Sequence, residues 1–197
     1  MMASYILDTA KRRKTVRRFS KKPLDLNLVL VALEAACQAP SGANFQPWRF
    51  MIITDSHIKK KVRKVCEQGE KRFYAHVEGD LRDWLLKRDF DWKKPFLEEA
   101  PVLLLVLSET RAPYSTQSVW LAIGYILLIL EELGLGTVTY TPPDSKALQE
   151  EVGIPDEYRL EAILPLGVPQ NDKIKESRFN VDEVIYLNSW GKKFISK

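Results

Sequence analysis

The sequence predicts an α+β domain, a sheet covered by helices. Two kinds of pattern carry that prediction. Apolar residues recur at spacings of three and four over residues 26–37 and 115–133, the period of a helix with a buried stripe. Between the helical segments lie short apolar runs bounded by turn residues, at 48–54, 102–107, 137–142 and 159–166. No repeat or low-complexity stretch divides the chain, so residues 1–197 read as one domain.

The elements follow in order. Residues 5–14 read as a short helix, followed by a basic turn from Arg13 to Phe19. Pro23-Leu24-Asp25 opens a second helix, with Asp25 as N-cap and Leu26, Val29, Leu30, Leu33, Ala36 and Cys37 as its apolar face. After strand 48–54, Asp55-Ser56 caps a helix that turns Ile58, Val62 and Val65 inward. Residues 69–99 mix Phe73, Tyr74, Trp84, Phe90, Trp92 and Phe96 with charges, and breaks fall at Glu78-Gly79-Asp80 and Pro95. They read as an insertion of short helices on loose connections, a lid over a site.

Residues 102–107 are wholly apolar, as in a central strand. Helix 115–133 carries Trp120, Ile123, Leu127 and Leu130 on one side, and Leu121, Ile126 and Ile129 broaden the stripe. Burial on more than one side, against a second subunit, explains so wide a stripe economically. Gly134-Leu135-Gly136 ends that helix, and 137–142 is a strand running into a turn. Residues 144–152 form a short helix capped by Asp144 or Ser145, and strand 159–166 is stopped by Gly167-Val168-Pro169. Residues 170–197 carry Val184, Ile185, Tyr186, Leu187, Trp190 and Phe194 without a helical period. They read as an extended arm that adds a strand elsewhere, on a partner subunit.

Composition excludes several function classes. The net charge is only +4, and the basic residues are spread out apart from two clusters. Lys59-Lys60-Lys61 reads as a solvated helix face. Lys11-Arg12-Arg13-Lys14 with Arg17-Arg18 suits nucleic acid or a single phosphate group, and Phe19 is the one aromatic nearby. Cys37 and Cys66 have no CxxC partner, and His57 and His76 lack metal-ligand spacing, so neither a disulfide framework nor a metal site is expected. The longest apolar run, 119–130, is shorter than the ~20 residues a bilayer requires. With no signal-peptide pattern at the start, a soluble cytoplasmic protein is expected.

The densest stretch is Ala39-Pro40-Ser41-Gly42-Ala43-Asn44-Phe45-Gln46-Pro47-Trp48, between a helix and a strand. It is either a helix stop with an ordinary loop, or a segment that brings backbone amides to a flat or anionic ligand. In the second reading Gly42 removes a Cβ that would block the approach.

Three segments together resemble the FMN-dependent nitroreductase superfamily. Arg13-Lys14-Thr15-Val16-Arg17 is similar to its arginine-rich phosphate clamp, 39–48 to its Pro-Ser and Gln-Pro-Trp loop, and Leu164-Pro165-Leu166-Gly167-Val168-Pro169 to its late Gly-x-Pro strand end. The resemblance covers about residues 10–187 and implies a central, mostly antiparallel sheet flanked by helices. It also implies a homodimer across which the C-terminal arm is exchanged, and bound FMN. Arginine holds a phosphate bidentately, and Arg13 and Arg17, four apart, point the same way on a helical turn. Arg178 matches the superfamily's late phosphate-binding arginine. The resemblance places Arg13, Lys14, Thr15, Arg17, Pro40, Ser41, Gly42, Thr139, Tyr140, Thr141 and Arg178 at the flavin.

One branch is closer. The chain is similar to the iodotyrosine deiodinases, whose lid carries a Glu, a Tyr four residues later and a Lys about twenty further on. Glu70 and Tyr74 have that spacing, and Lys94 lies in Asp91-Trp92-Lys93-Lys94-Pro95, with Lys93 as a competitor. A zwitterionic amino acid needs an anion for its ammonium, a cation for its carboxylate and an aromatic wall. Glu70, Lys94 and Tyr74 are those groups, and burying a zwitterion without them would be costly. Taken singly, each also reads as a surface ion-pair member or a core tyrosine.

The resemblance assigns the phenolate of a halogenated tyrosine to the backbone amide of Ala43. It gives Thr141, in Thr137-Val138-Thr139-Tyr140-Thr141-Pro142, a hydrogen bond to flavin N5 that favours one-electron chemistry. Tyr140 stands where the animal enzymes have threonine. The implied activity is reductive dehalogenation of halotyrosines. The alternative is an NAD(P)H-dependent nitroreductase or quinone reductase, and from another class a basic-patch binding module without catalysis.

Overall fold

The computed structural model describes residues 5–170 and 174–194. The apolar run β2 (Val102–Glu109) and strand β4 (Tyr158–Gly167) form the centre of one antiparallel sheet. β1 (Trp48–Ile53) and the two-residue β3 (Gly136–Thr137) flank them in the order β1-β2-β4-β3. β1 pairs with β2 from Trp48↔Ser108 to Ile53↔Leu103, and a register shift interrupts the β2–β4 ladder at Val106/Leu107.

Strand alternation explains why β2 is apolar throughout. Leu103, Leu105 and Leu107 join one core cluster with Val62, Cys66, Leu97 and Leu148, beneath α3 (Ser56–His76), α5 (Phe96–Glu99) and α7 (Ser145–Val152). Val102, Leu104 and Val106 face the other cluster with Val29, Ala36, Val119 and Ile126, from α2 (Leu26–Ala36) and α6 (Ser115–Glu132). Both sheet faces are thus covered. Three helices begin at aspartate caps: Asp25 accepts from the Asn27 amide, Asp55 from Ile58 and Asp144 from Ala147. The last settles the cap of α7 on Asp144 rather than Ser145.

The structure departs from the sequence reading in five places. First, α1 (Tyr5–Arg12) stops before the basic segment, which runs extended beside β3. Thr15 bridges Thr137, the Val16 amide donates to Thr137 O at 2.9 Å, and Phe19 bridges Pro169. Gly136 makes this possible, because a Cβ there would lie 2.7 Å from Val16. Arg13 and Arg17 are therefore not one helical turn apart.

Second, α3 continues unbroken to His76, so Glu70 and Tyr74 stand on a core helix. The segment after it carries α4 (Gly79–Lys87). Third, 137–142 is not a continuous strand: pairing stops at Thr137 and resumes only where Tyr140 bridges Ile163.

Fourth, the buried face of α2 is made of Val29, Ala32 and Ala36, while Leu26, Leu30 and Cys37 are exposed. Small residues let α2 sit close to α6 and turn the leucines outward. Trp120 and Leu121 on α6 are exposed in the same way, and Ile58 on α3 is only partly covered. Fifth, the described part of the arm pairs with itself, with Tyr186 bridging Lys193, and contains the short α8 (Val181–Val184). Residues 171–173 and 195–197 of the predicted arm lie outside the described residues. Among the described residues no helix is long and apolar enough to cross a membrane.

Candidate active site

The end of α3, the segment around α4, the start of α5 and the segment 138–143 line a cavity of about 1250 Å³. Glu70, Tyr74, Lys94, Arg17, Thr139, Tyr140 and Thr141, spread over 125 residues of chain, all line it. Glu70 is 6% exposed, which requires partners for its charge. Lys94 Nζ lies 3.2 Å from Glu70 Oε2, and the Tyr140 hydroxyl donates to Oε1 at 2.9 Å. Lys94 also donates to the Asp91 carbonyl and sits 5.5 Å from the centre of the Tyr74 ring. Lys93 instead lies over Trp92, so the structure brings Lys94 to Glu70. Burial, then the Glu70 charge, push the Tyr74 phenol up and keep it protonated.

The Lys94 position is held by a contact the sequence reading missed. Its backbone amide donates to Glu67 Oε1 at 2.8 Å, and that carboxylate is itself paired with Arg63. Glu67 is one helical turn before Glu70 on α3, a spacing that could have suggested it. Tyr140 takes a second part that the sequence reading did not give it. Thr139 and Thr141 point away from the core while Tyr140, between them, is buried, as alternation in an extended segment dictates. Its hydroxyl donates to Glu70.

Beside this cavity lies a smaller one of about 170 Å³, lined by Lys14, Thr15, Arg17, Lys175 and Arg178 together with Trp84, Arg88 and Phe90 of the segment around α4. Arg17 stacks 5.3 Å from the Phe90 ring centre, and Arg88 pairs with Glu176 at 2.8 Å. The α4 segment therefore borders the basic segment as well as the cavity that holds Glu70. Burial, then the neighbouring Arg178, pull the Arg13 pKa below the ordinary arginine range. Burial lowers that of Arg17, and burial followed by Arg178 and Arg13 lowers that of Lys175. Arg13 Nε is buried without a hydrogen-bond partner. Clustered cations with an unsatisfied buried donor suit an anion such as a phosphate. Lys175, absent from the sequence reading, donates to the carbonyls of Ala10 and Lys11 and ties the arm to the end of α1.

The Pro40–Ala43 loop lines neither cavity. It sits over the start of α6, where the Gly42 amide donates to Ser118 Oγ at 3.1 Å. Gly42 is required for packing within the chain: a Cβ would lie 2.8 Å from the Tyr114 ring. The conformational demand falls on the glycine's neighbours. Ala43, Asn44 and Gln46 have φ of 47°, 57° and 50°, left-handed values that cost a non-glycine residue about 1 kcal/mol or more each. Three such residues in one exposed loop mark a backbone shaped for contact. One chain thus carries two separate parts of the expected site.

This fold and this pairing of a cationic clamp with a buried acid–base pair define a class. The chain belongs to the nitroreductase family, whose description matches residues 10–168. Within it, the chain is 54% identical over 176 residues to iodotyrosine deiodinase of Thermotoga neapolitana, covering 89% of this chain and 95% of that one. It is 33% identical over 168 residues to iodotyrosine deiodinase of Haliscomenobacter hydrossis, covering 80% and 76%. The crystal structure of an oxidized iodotyrosine deiodinase bound to FMN and 3-iodo-L-tyrosine superposes with a TM-score of 0.91 at 52% identity. That match covers 94% of this chain and all of the other.

Proposed function

We propose that this chain is an FMN-dependent reductive dehalogenase of halotyrosines, working as a homodimer. The observation that carries the reading is the buried Glu70–Lys94 pair with Tyr74 beside it, on the same cavity as Thr139 and Thr141. A nitroreductase for neutral aromatics has no need of an anion and a cation held together under a lid. A free amino acid needs both.

The residues fit FMN. Arg13, Arg17 and Arg178, with Lys14 and Thr15, would hold its phosphate, and the unsatisfied Arg13 Nε supports that assignment. Thr139 and Thr141 would face the flavin ring, with Thr141 as the hydrogen-bond donor to N5. When bound and reduced by an external electron donor, FMN would supply the two electrons that, with a proton, replace carbon–halogen by carbon–hydrogen and release halide, itself returning to the oxidised form. The chain does the rest by orientation and water exclusion. Glu70 takes the substrate ammonium, Lys94 its carboxylate, and Tyr74 walls the side chain. The lid aromatics Trp84 and Phe90 keep water from the cavity.

Pro40, Ser41, Gly42 and the Ala43 amide would reach the site from the partner subunit, the first three at the flavin and Ala43 at the substrate phenolate. Two observations support this. The loop is shaped but lines neither of the two cavities described, and Leu26, Leu30 and Val31 of α2 and Trp120, Leu121 and Tyr125 of α6 expose an apolar surface. Ile174, Phe179 and Trp190 of the arm, each more than four-fifths exposed, would be covered by the partner. The unbridged Cys37 and Cys66 suit a reducing, cytoplasmic setting.

The test is binding. 3-Iodotyrosine should quench the fluorescence of FMN on the protein with micromolar affinity. Turnover of nitroaromatics by NAD(P)H without iodotyrosine binding would overturn the reading.

A further inference from the structure

We propose that Tyr140 is a positioning residue for substrate recognition. Its hydroxyl holds one oxygen of Glu70 so that the other faces the ammonium group of an amino-acid substrate. The inference deepens the proposed function and rests on it.

The geometry is specific. Tyr140 is 7% exposed, and its backbone exchanges hydrogen bonds with Ile163, N to O at 3.0 Å and O to N at 2.8 Å. That double bridge fixes the residue on β4 in the sheet centre. The Phe96 ring packs against it edge-on at 5.7 Å, at the start of α5 just beyond Lys94. The hydroxyl then donates to Glu70 Oε1 at 2.9 Å, leaving Oε2 for Lys94 at 3.2 Å. Each carboxylate oxygen thus has its own partner. A carboxylate held by one neutral donor and one cation keeps its charge and its orientation.

Without the hydroxyl, Oε1 would be buried with no donor, a costly state that Glu70 can relieve by turning both oxygens toward Lys94. The acid–base pair would close on itself, and a zwitterion entering between the two groups would have to break a tighter contact. The cost falls only on a ligand that carries the zwitterion. Tyr140 also lies between Thr139 and Thr141, so one residue links the segment at the flavin to the residue that selects the substrate.

Burial, then the neighbouring Cys66 and Glu70, push the Tyr140 phenol above its ordinary range, so it is a donor at neutral pH. Glu70 and Lys94 face it through the ion pair, and Cys66 of α3 is its other titratable neighbour.

The experiment compares two substrates on the FMN-loaded enzyme with dithionite as reductant. 3-Iodotyrosine carries the zwitterion, and 2-iodophenol carries only the ring. Tyr140→Phe should lower the ratio of kcat/KM for iodotyrosine to that for iodophenol about tenfold, with KM rising more than kcat falls. In a Glu70→Gln background the same change should lower the ratio no further. Tyr140→Met, which fills the space without a hydroxyl, serves if the phenylalanine variant does not fold. An unchanged ratio, an equal loss on both substrates, or a full multiplicative loss in the Glu70→Gln background would overturn the role of Tyr140 alone. A wild-type enzyme with no preference for iodotyrosine would overturn the proposed function and this inference with it.

Discussion

Replacing Glu70 by glutamine should cost the substrate-free protein about 3 kcal/mol of stability, more than a surface ion pair is worth. The separation of 3.2 Å between Lys94 Nζ and Glu70 Oε2 corresponds to a gross attraction of ~5 kcal/mol at an effective dielectric of about 20. Both side chains are nearly dry, 13% and 8% exposed, so screening by solvent is small. Desolvation of the two ions offsets much of that attraction in the intact pair. Removing one partner leaves the other's desolvation uncompensated, which typically costs 3–5 kcal/mol. The Asp91 carbonyl still serves Lys94, which places the cost at the lower end. Urea denaturation at saturating FMN would read it as a lower midpoint with unchanged slope, and thermal unfolding as a fall of roughly 6–12 °C. Glu70→Gln/Lys94→Met should recover most of the loss, since a buried pair replaced by neutral groups is often near neutral. A single-variant cost below about 1 kcal/mol, or a double variant no better than the single, would refute the claim that these two ions depend on each other.

Three further outcomes are expected. Arg13→Gln should weaken FMN binding about 10–100-fold, by loss of a charge-assisted phosphate contact, and flatten its salt dependence in equilibrium dialysis. Stability should fall as pH rises above about 9. Burial pushes the Cys66 thiol from 9.0 up to about 12, and the Tyr140 phenol is raised as well, so the native state keeps protons that the unfolded chain releases. This contribution is whole below the unfolded pKa and lost as pH climbs toward the folded one, at up to ~1.4 kcal/mol per pH unit per group. Cys66→Ala should flatten the fall between pH 9 and 10 in urea titrations, and an unaltered slope would contradict it. Leu30→Asp with Leu121→Asp should give a monomer by sedimentation that no longer retains flavin, because the Pro40–Ala43 loop would then have no partner cavity.

Patterns of period two and period three to four were enough to place the main helices and the strands of the sheet. Asp25, Asp55 and Asp144 marked three helix starts because capping is a local contest, decided within four residues. The polarity of exposed faces was not legible in the same way. Leu26 and Leu30 carry the same hydrophobicity as core residues, and only the close packing of Val29, Ala32 and Ala36 on α6 decides which side faces in. The motif residues Glu70, Tyr74 and Lys94 were readable from order and spacing, but their union in one cavity depends on how α3 and the segment before α5 pack together, which spacing alone does not fix. Tyr140 stood in a run of threonines and was placed with them. Strand alternation sends it the other way, and no sequence pattern marks a contact 70 residues distant. The left-handed conformation of Ala43 and Gln46 has no residue-type signature either, whereas Asn44 is a residue that tolerates it.

The central claim is that the buried acid–base pair recognises a free amino acid above a flavin. Titrating 3-iodotyrosine into the FMN-loaded protein, and into its Glu70→Gln and Lys94→Ala variants under conditions where all remain folded, tests it most directly. The account predicts saturable quenching of flavin fluorescence at micromolar ligand in the wild type, weakened at least about tenfold in each variant by loss of a charged contact. Quenching that is equal in all three proteins, or absent from the wild type, would contradict it.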